Sequence, residues 1–176
     1  MKPERADNIL RKFPILFSTF LTRGDKAKYQ FCVGDGWYYI VDNICKGIYH
    51  LIGDKDVNVD VLQIKEKFGG LRFYYTITDI ADRSTFEIIV EKVDWWIRGF
   101  MCKHGMAKTY WKLYKIRTKY YKTIYEKIRE IVDEGELLSY RTCEICSAEG
   151  DTRSINHYLV TLCDEHAKIE TERKMK

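Results

Sequence analysis

Four residues near the end of the chain have types and spacing that suit a metal ion. Cys143-Glu-Ile-Cys146 is a C-x2-C pair, and Cys163-Asp-Glu-His166 repeats the gap as C-x2-H after 16 intervening residues. A C-x2-C turn lets two thiolates converge on one tetrahedral ion, and a second pair at the start of a helix completes the coordination. Three thiolates and an imidazole are a zinc set, and four protein ligands leave no position for a reactive water, so the expected Zn2+ is structural. The alternative is buried cysteines and a surface histidine spaced by coincidence. The shared gap in both pairs argues against it. A segment of this size, with few apolar side chains, needs a stabiliser of the order a structural zinc supplies, about 10–16 kcal/mol in small peptides.

The elements that must hold these ligands are legible around them. Ile155, Leu159, Val160 and Leu162 suggest a short strand or hairpin, followed by a final helix from Asp164 whose charged end, residues 170–176, is expected to fray. Knuckle, hairpin and ligand-bearing helix in that order resemble a treble-clef zinc finger. That scaffold also hosts HNH nucleases, and Asn156-His157 lies between the ligand pairs. No second histidine or carboxylate cluster accompanies His157 to hold a catalytic metal with open positions. We therefore read His157 as a hairpin surface residue and expect no enzyme.

The rest of the chain is expected to form an α+β core, mostly helical, over residues 1–138, with the zinc module at 139–176 packed on it. Asp7 is placed to cap a short helix through Lys12, and the apolar stretch Phe13–Leu21, broken by Pro14, reads as part of a first helix rather than a signal peptide. Gly34 to Gly36 open a second helix at Trp37. In it Tyr38, Val41, Ile44, Cys45, Ile48, Leu51 and Ile52 recur at helical spacing, and Gly53 stops it. Trp37 is expected in the core. Val57, Val59 and Val61 alternate, as do Leu71, Phe73, Tyr75 and Ile77, with Gly69-Gly70 between them supplying the positive dihedrals of a β-hairpin turn.

Helical periodicity resumes at Ser84, pauses around Met101 to Gly105, and then runs through a long helix over about residues 107–135. On one face lie Tyr110, Tyr114, Arg117, Tyr121, Ile124, Ile128 and Ile131; about 200° away lie Lys108, Lys112, Lys115, Lys119 and Lys122. From Trp95 to Tyr125 there is no acidic residue and the local charge is +8, so a total of +4 leaves −4 for the remainder. Such a lysine face suits nucleic-acid phosphates. A plain solvated face is the competing explanation. The tyrosines, on the opposite side, suit a core or a dimer interface better than base stacking.

Composition bounds the class. At 176 residues, with 45% hydrophobic and 14% aromatic residues, the chain can bury a real core. Three of its six cysteines belong to the metal set, leaving Cys32, Cys45 and Cys102 odd in number, which favours a reducing cytoplasm over a disulfide framework. No run of about 18 apolar residues is present to cross a bilayer. A soluble protein, with no membrane partner, is the expectation.

Three stretches together, Gly34-Asp-Gly-Trp37, Lys65-Glu-Lys-Phe-Gly-Gly-Leu-Arg-Phe-Tyr74, and Thr142-Cys-Glu-Ile-Cys146 with Thr161-Leu-Cys-Asp-Glu-His-Ala167, resemble a widespread family of small phage and prophage proteins of unassigned function. The resemblance covers residues 8–78 and 132–168. It implies a phage context and a host-cell cytoplasm, but no activity. Between about Ile80 and Ile131 the chain departs from the family pattern, which has only a short helix there, so the lysine face is an elaboration.

Within the shared part, Lys67, Gly69, Gly70 and Arg72 suit an anion or nucleotide, with turn amides and two cations. An ordinary hairpin turn with surface charges is the other reading. The leading expectation is a non-enzymatic, zinc-stabilised phage accessory protein that binds nucleic acid. The rival is a counter-defence protein that binds a host immune protein or sequesters a nucleotide signal, and a nuclease ranks last. A homo-oligomer is left open, as are the roles of Cys32, Cys45, Cys102 and His104.

Overall fold

The computed structural model describes residues 1–18, 31–53, 57–79 and 124–173. Helix α1 spans Pro3–Lys12. Proline at the first helical position has its dihedral preset and gives up only an amide that would lack a partner. Glu4 in the first turn and Arg11 and Lys12 in the last complement the helix dipole. Asp7 therefore lies inside the helix and does not cap it; Lys2, in extended conformation, holds the cap position without a side-chain bond. Lys12 pairs with Asp42 at 2.9 Å, which ties α1 to the next helix. A 3-10 turn, Pro14–Phe17, follows and buries Leu16 and Phe17.

A second 3-10 turn, Asp35–Trp37, leads directly into α2, Tyr38–Ile52. The predicted stripe is inside: Val41, Ile44, Cys45, Ile48 and Ile52 are buried, Tyr38 and Leu51 are partly buried, and Trp37 is fully enclosed. Gly53, at φ 41°, ends the helix as the spacing predicts.

Three strands form the main sheet in the order β1 (Phe31–Cys32), β2 (Val57–Lys67) and β3 (Gly70–Asp79). β1 runs parallel to β2 and β3 antiparallel to it. The hairpin agrees with the sequence pattern, whereas β1, two residues long, has no pattern to read. β2 also runs six residues beyond Val61. Its alternation is hidden by an irregularity between Val61 and Gln63; Leu62 is the extra residue, it turns outward, and Ile64 takes the next inward place.

The hairpin turn corrects one expectation. Its two central residues are Phe68 (φ 55°) and Gly69 (φ 75°), the pair of positive dihedrals of a type I′ turn. Gly70 is already in β3, paired with Lys67.

Residues 124–139 form helix α3, with Ile124, Ile128 and Val132 buried and Ile131 packed against the core. The helix does not stop at residue 135, where the expected range ended. Gly135 is interior, and a side chain there would strike Ile44 of α2, so it serves close packing of two helices. The last turn of α3 covers the open edge of the sheet. Ser139 Oγ accepts the Leu71 amide and Glu136 Oε1 the Phe73 amide, both at 2.8 Å. A sheet edge otherwise presents such amides to any passing strand.

Beyond α3 come β4 (Asp151–Ile155), β5 (Tyr158–Leu162) and α4 (Asp164–Arg173), with β4 and β5 antiparallel. The fold is α+β. Its main core joins α1, α2, the three-stranded sheet and α3. A second cluster holds only Cys143, Ile155, Leu162 and Ala167, with Val160 and Cys163 against it. Among the described residues no helix is long and apolar enough to cross a membrane.

Candidate metal centre

Residues 143–149 turn sharply because their backbone closes on itself. The Cys143 amide donates to Ala148 O at 2.8 Å, the Ser147 amide to Cys143 O at 3.0 Å, and Thr142 bridges Glu149. Ser147 carries a positive φ of 67° just after Cys146. This tight loop presents Cys143 and Cys146 together. β5 and α4 present the other two: Cys163 precedes the first residue of α4, and His166 lies in its first turn.

The four candidate ligands Cys143, Cys146, Cys163 and His166 converge, each offering one ligand atom, all within 4.8 Å of one another. Cys146 Sγ is 3.8 Å from Cys163 Sγ, and His166 Nδ1 is 3.7 Å from Cys143 Sγ and 3.1 Å from Cys163 Sγ. None of the three cysteines is in a disulfide. The cluster can hold a metal ion, and with four protein donors it closes the coordination of a tetrahedral one.

The environment prepares the sulfurs for this. Burial opposes ionisation of Cys143, but the amides of Cys163, Cys146 and Ile145 point at its sulfur and outweigh it, lowering its pKa. The Ala148 amide also favours the Cys146 thiolate; burial and the neighbouring sulfurs of Cys143 and Cys163 prevail there and raise its pKa. Thiolates crowded this closely repel without a cation between them. Cys45 is the contrast, because burial, helped by the Asp42 carboxylate, pushes its thiol far up, as expected of an inert core cysteine. Burial, with Glu66 and Glu170 nearby, also pushes the Glu144 carboxyl up to about 7.

What the sequence did not reveal is how this knuckle is fastened to the core. Gly36 N–H donates to Glu144 O at 2.7 Å, Trp37 Nε1 to Thr142 O at 2.7 Å, and Ser147 Oγ to Gly36 O at 2.7 Å. A side chain at Gly34 or Gly36 would strike the backbone carbonyls of Glu144 and Cys143. The hairpin turn reaches the same module from the other side: Thr161 Oγ1 donates to Gly69 O at 2.6 Å, and a Cβ on Gly69 would come within 2.9 Å of Thr152 Cγ2. The stretches Gly34–Trp37, Lys65–Tyr74 and the cysteine region thus meet at one junction. The signal was present in the glycines, but nothing in local spacing says that their partners lie so far along the chain.

The other residues singled out fare differently. Of the anion candidates, Gly69 N–H donates to Glu66 Oε1 at 2.6 Å, and Arg72 donates to Tyr140 Oη at 2.6 Å and pairs with Glu136 at 3.4 Å. Their donors are engaged internally; an anion would have to displace two carboxylates. Lys67 stands apart, over the Phe68 ring. His157 occupies the β4–β5 turn, exposed, at φ 69°. Among the described residues the Cys3His cluster is the one group that meets the geometry for a metal, and His157 is not in it. Cys32 is exposed on β1 and Cys45 is buried in α2. Lys108, Lys112, Lys115, Lys119, Lys122, Cys102, His104 and the three helix tyrosines lie outside the described residues. An open groove of about 380 Å³ between α2 and α3, lined by His50, Lys127, Glu130 and Glu134 among others, shares no residue with the cluster. Comparison with protein-family models, with curated proteins and with solved structures finds no match for this chain.

Proposed function

We propose that the cluster holds one structural zinc ion in a treble-clef-like module, and that the chain is a non-enzymatic phage accessory protein that acts by binding nucleic acid. The observation that carries the metal assignment is the shape of the cluster. Zinc–sulfur bonds of about 2.3 Å at tetrahedral angles put sulfurs about 3.8 Å apart, and Cys146 and Cys163 have that spacing. Four protein ligands, one of them deeply buried, leave no open position for a substrate or an activated water. Zinc here fastens a module whose own apolar cluster is too small to fold unaided.

The nucleic-acid assignment rests on charge. The acid-free stretch between Trp95 and Tyr125 concentrates eight cations, and phosphate neutralisation is the interaction such a stretch performs best. The phage assignment rests on the three motifs. For the rival reading as a nucleotide-sequestering protein, the engagement of Arg72 and the Gly69 amide by internal partners removes the donors it needs.

The test is binding of the zinc-loaded protein to short DNA and RNA at two salt concentrations, with Lys112, Lys115 and Lys119 changed together to glutamate. Affinity that falls with salt, and is lost in the triple variant, supports the reading. Absence of binding at low salt ends it.

A further inference from the structure

The outer face of the main sheet, at its hairpin end, carries cations and aromatic rings in alternation. β2 and β3 place Lys65 directly opposite Arg72 and Lys67 opposite Gly70. Like charges facing each other across two strands are destabilising, and here a third cation lies two residues along on the same face. Among the described residues Lys65 and Lys67 make no ion pair; Arg72 has Glu136.

Each cation lies over a ring. Lys65 Nζ is 4.9 Å from the centre of Tyr74, Lys67 Nζ 5.2 Å from Phe68, and the Arg72 guanidinium 5.7 Å from Tyr140. Two of the rings are accessible: Phe68 is 65% exposed and Tyr74 40%. Phe68 is kept at the tip of the turn with a positive φ, where asparagine or glycine would be easier. Tyr140, from beyond the end of α3, lies against Gly70, where any side chain would strike its ring. That missing side chain makes room for the Tyr140 ring between Lys67 and Arg72.

We propose that this face is a binding platform for single-stranded nucleic acid, with Phe68 and Tyr74 stacking bases and Lys65 and Lys67 contacting phosphates, while Arg72 and Tyr140, bonded to each other, form its floor. Exposed rings interleaved with cations on an open sheet suit unpaired bases, whose faces a duplex hides. The proposal rests on the nucleic-acid reading above but places contact on residues distinct from the lysine-rich stretch.

The test uses full-length zinc-loaded protein and fluorescently labelled 12-nucleotide single strands of dT and U, with a duplex of the same length as comparison. The variants are Lys65→Ala with Lys67→Ala, Phe68→Ala and Tyr74→Ala, all at positions on the outer face. The expected result is preference for single strands. Each ring variant should lose about 5- to 100-fold in affinity, and the double lysine variant should flatten the log–log salt slope by about 1.4. Circular dichroism and zinc content confirm that the variants are folded. If all variants bind like the parent while the Lys112/Lys115/Lys119 charge reversal abolishes binding, the platform is wrong and the broader reading stands. No binding by the parent overturns both. Loss of a dimer in the ring variants, seen by sedimentation without any oligonucleotide affinity, would make the face a contact between copies of the chain and equally overturn the proposal.

Discussion

At the scale of single residues, a few side chains join parts of the chain that local pattern treats as separate. Trp37 is the clearest case. Its ring is fully enclosed and its N–H is committed to Thr142 O. Trp37→Phe should lower the unfolding free energy by about 2–4 kcal/mol, through an orphaned carbonyl and a partly filled cavity, read from the urea midpoint of the metal-loaded protein. An unchanged midpoint would show that the indole bond contributes nothing. Gly36→Ala should be worse than its small volume suggests, because the added carbon meets backbone of the knuckle and not a movable side chain. Its signature should be weakened metal retention under a competing chelator, since the carbonyl that moves belongs to a ligand residue. The candidate metal ligands were legible because their chemistry repeats at a fixed short gap. The roles of Trp37 and Gly36 were not, because a hydrogen bond spanning 105 residues leaves no local trace beyond an aromatic and a glycine.

At the scale of elements, periodicity was informative where one face is uniformly buried and misleading where a residue serves a neighbour. The α2 stripe and the β2–β3 alternation follow burial directly. The long helix was expected to end near residue 135, and Gly135 is instead where α3 packs closely on α2; Asp7 looked like a cap, yet Pro3 starts the helix more than a turn earlier. Leu62 interrupted the alternation of β2 by one residue and concealed half of the strand. Two consequences can be measured. Phe68→Asn relieves a non-glycine residue of an unfavourable positive φ and should raise stability by about 1 kcal/mol, while weakening any binding that uses the ring. Glu136→Ala removes the acceptor of the Phe73 amide and the ion-pair partner of Arg72. It should cost about 1–3 kcal/mol, and hydrogen exchange should report faster exchange at the Phe73 amide in particular; unchanged exchange there would mean that the edge is covered by something else.

At the scale of the whole molecule, the three motifs that suggested a phage family are one structural junction. The knuckle grips Gly36 and Trp37, and β5, bonded to the knuckle through Thr161 O, holds Gly69 of the hairpin turn through Thr161 Oγ1, so whatever orders this region also clamps the start of α2 and the tip of the sheet. The proposed zinc would therefore act beyond the small cluster around Cys143, which is separate from the main core but joined to it by hydrogen bonds. Sequence spacing identified the ligands without this consequence, since spacing describes a site and says nothing of what the site is fastened to.

The measurement that bears most directly on this account is metal content and thermal unfolding of the purified chain, in parallel with Cys163→Ser and with a chelator-treated sample. The account predicts one zinc per chain, loss of that zinc in the variant, and a large drop in melting temperature on zinc removal, with protection of the Gly36 amide lost at the same time. A metal-free chain that melts at the same temperature as the loaded one, with the Gly36 amide still protected, would contradict it.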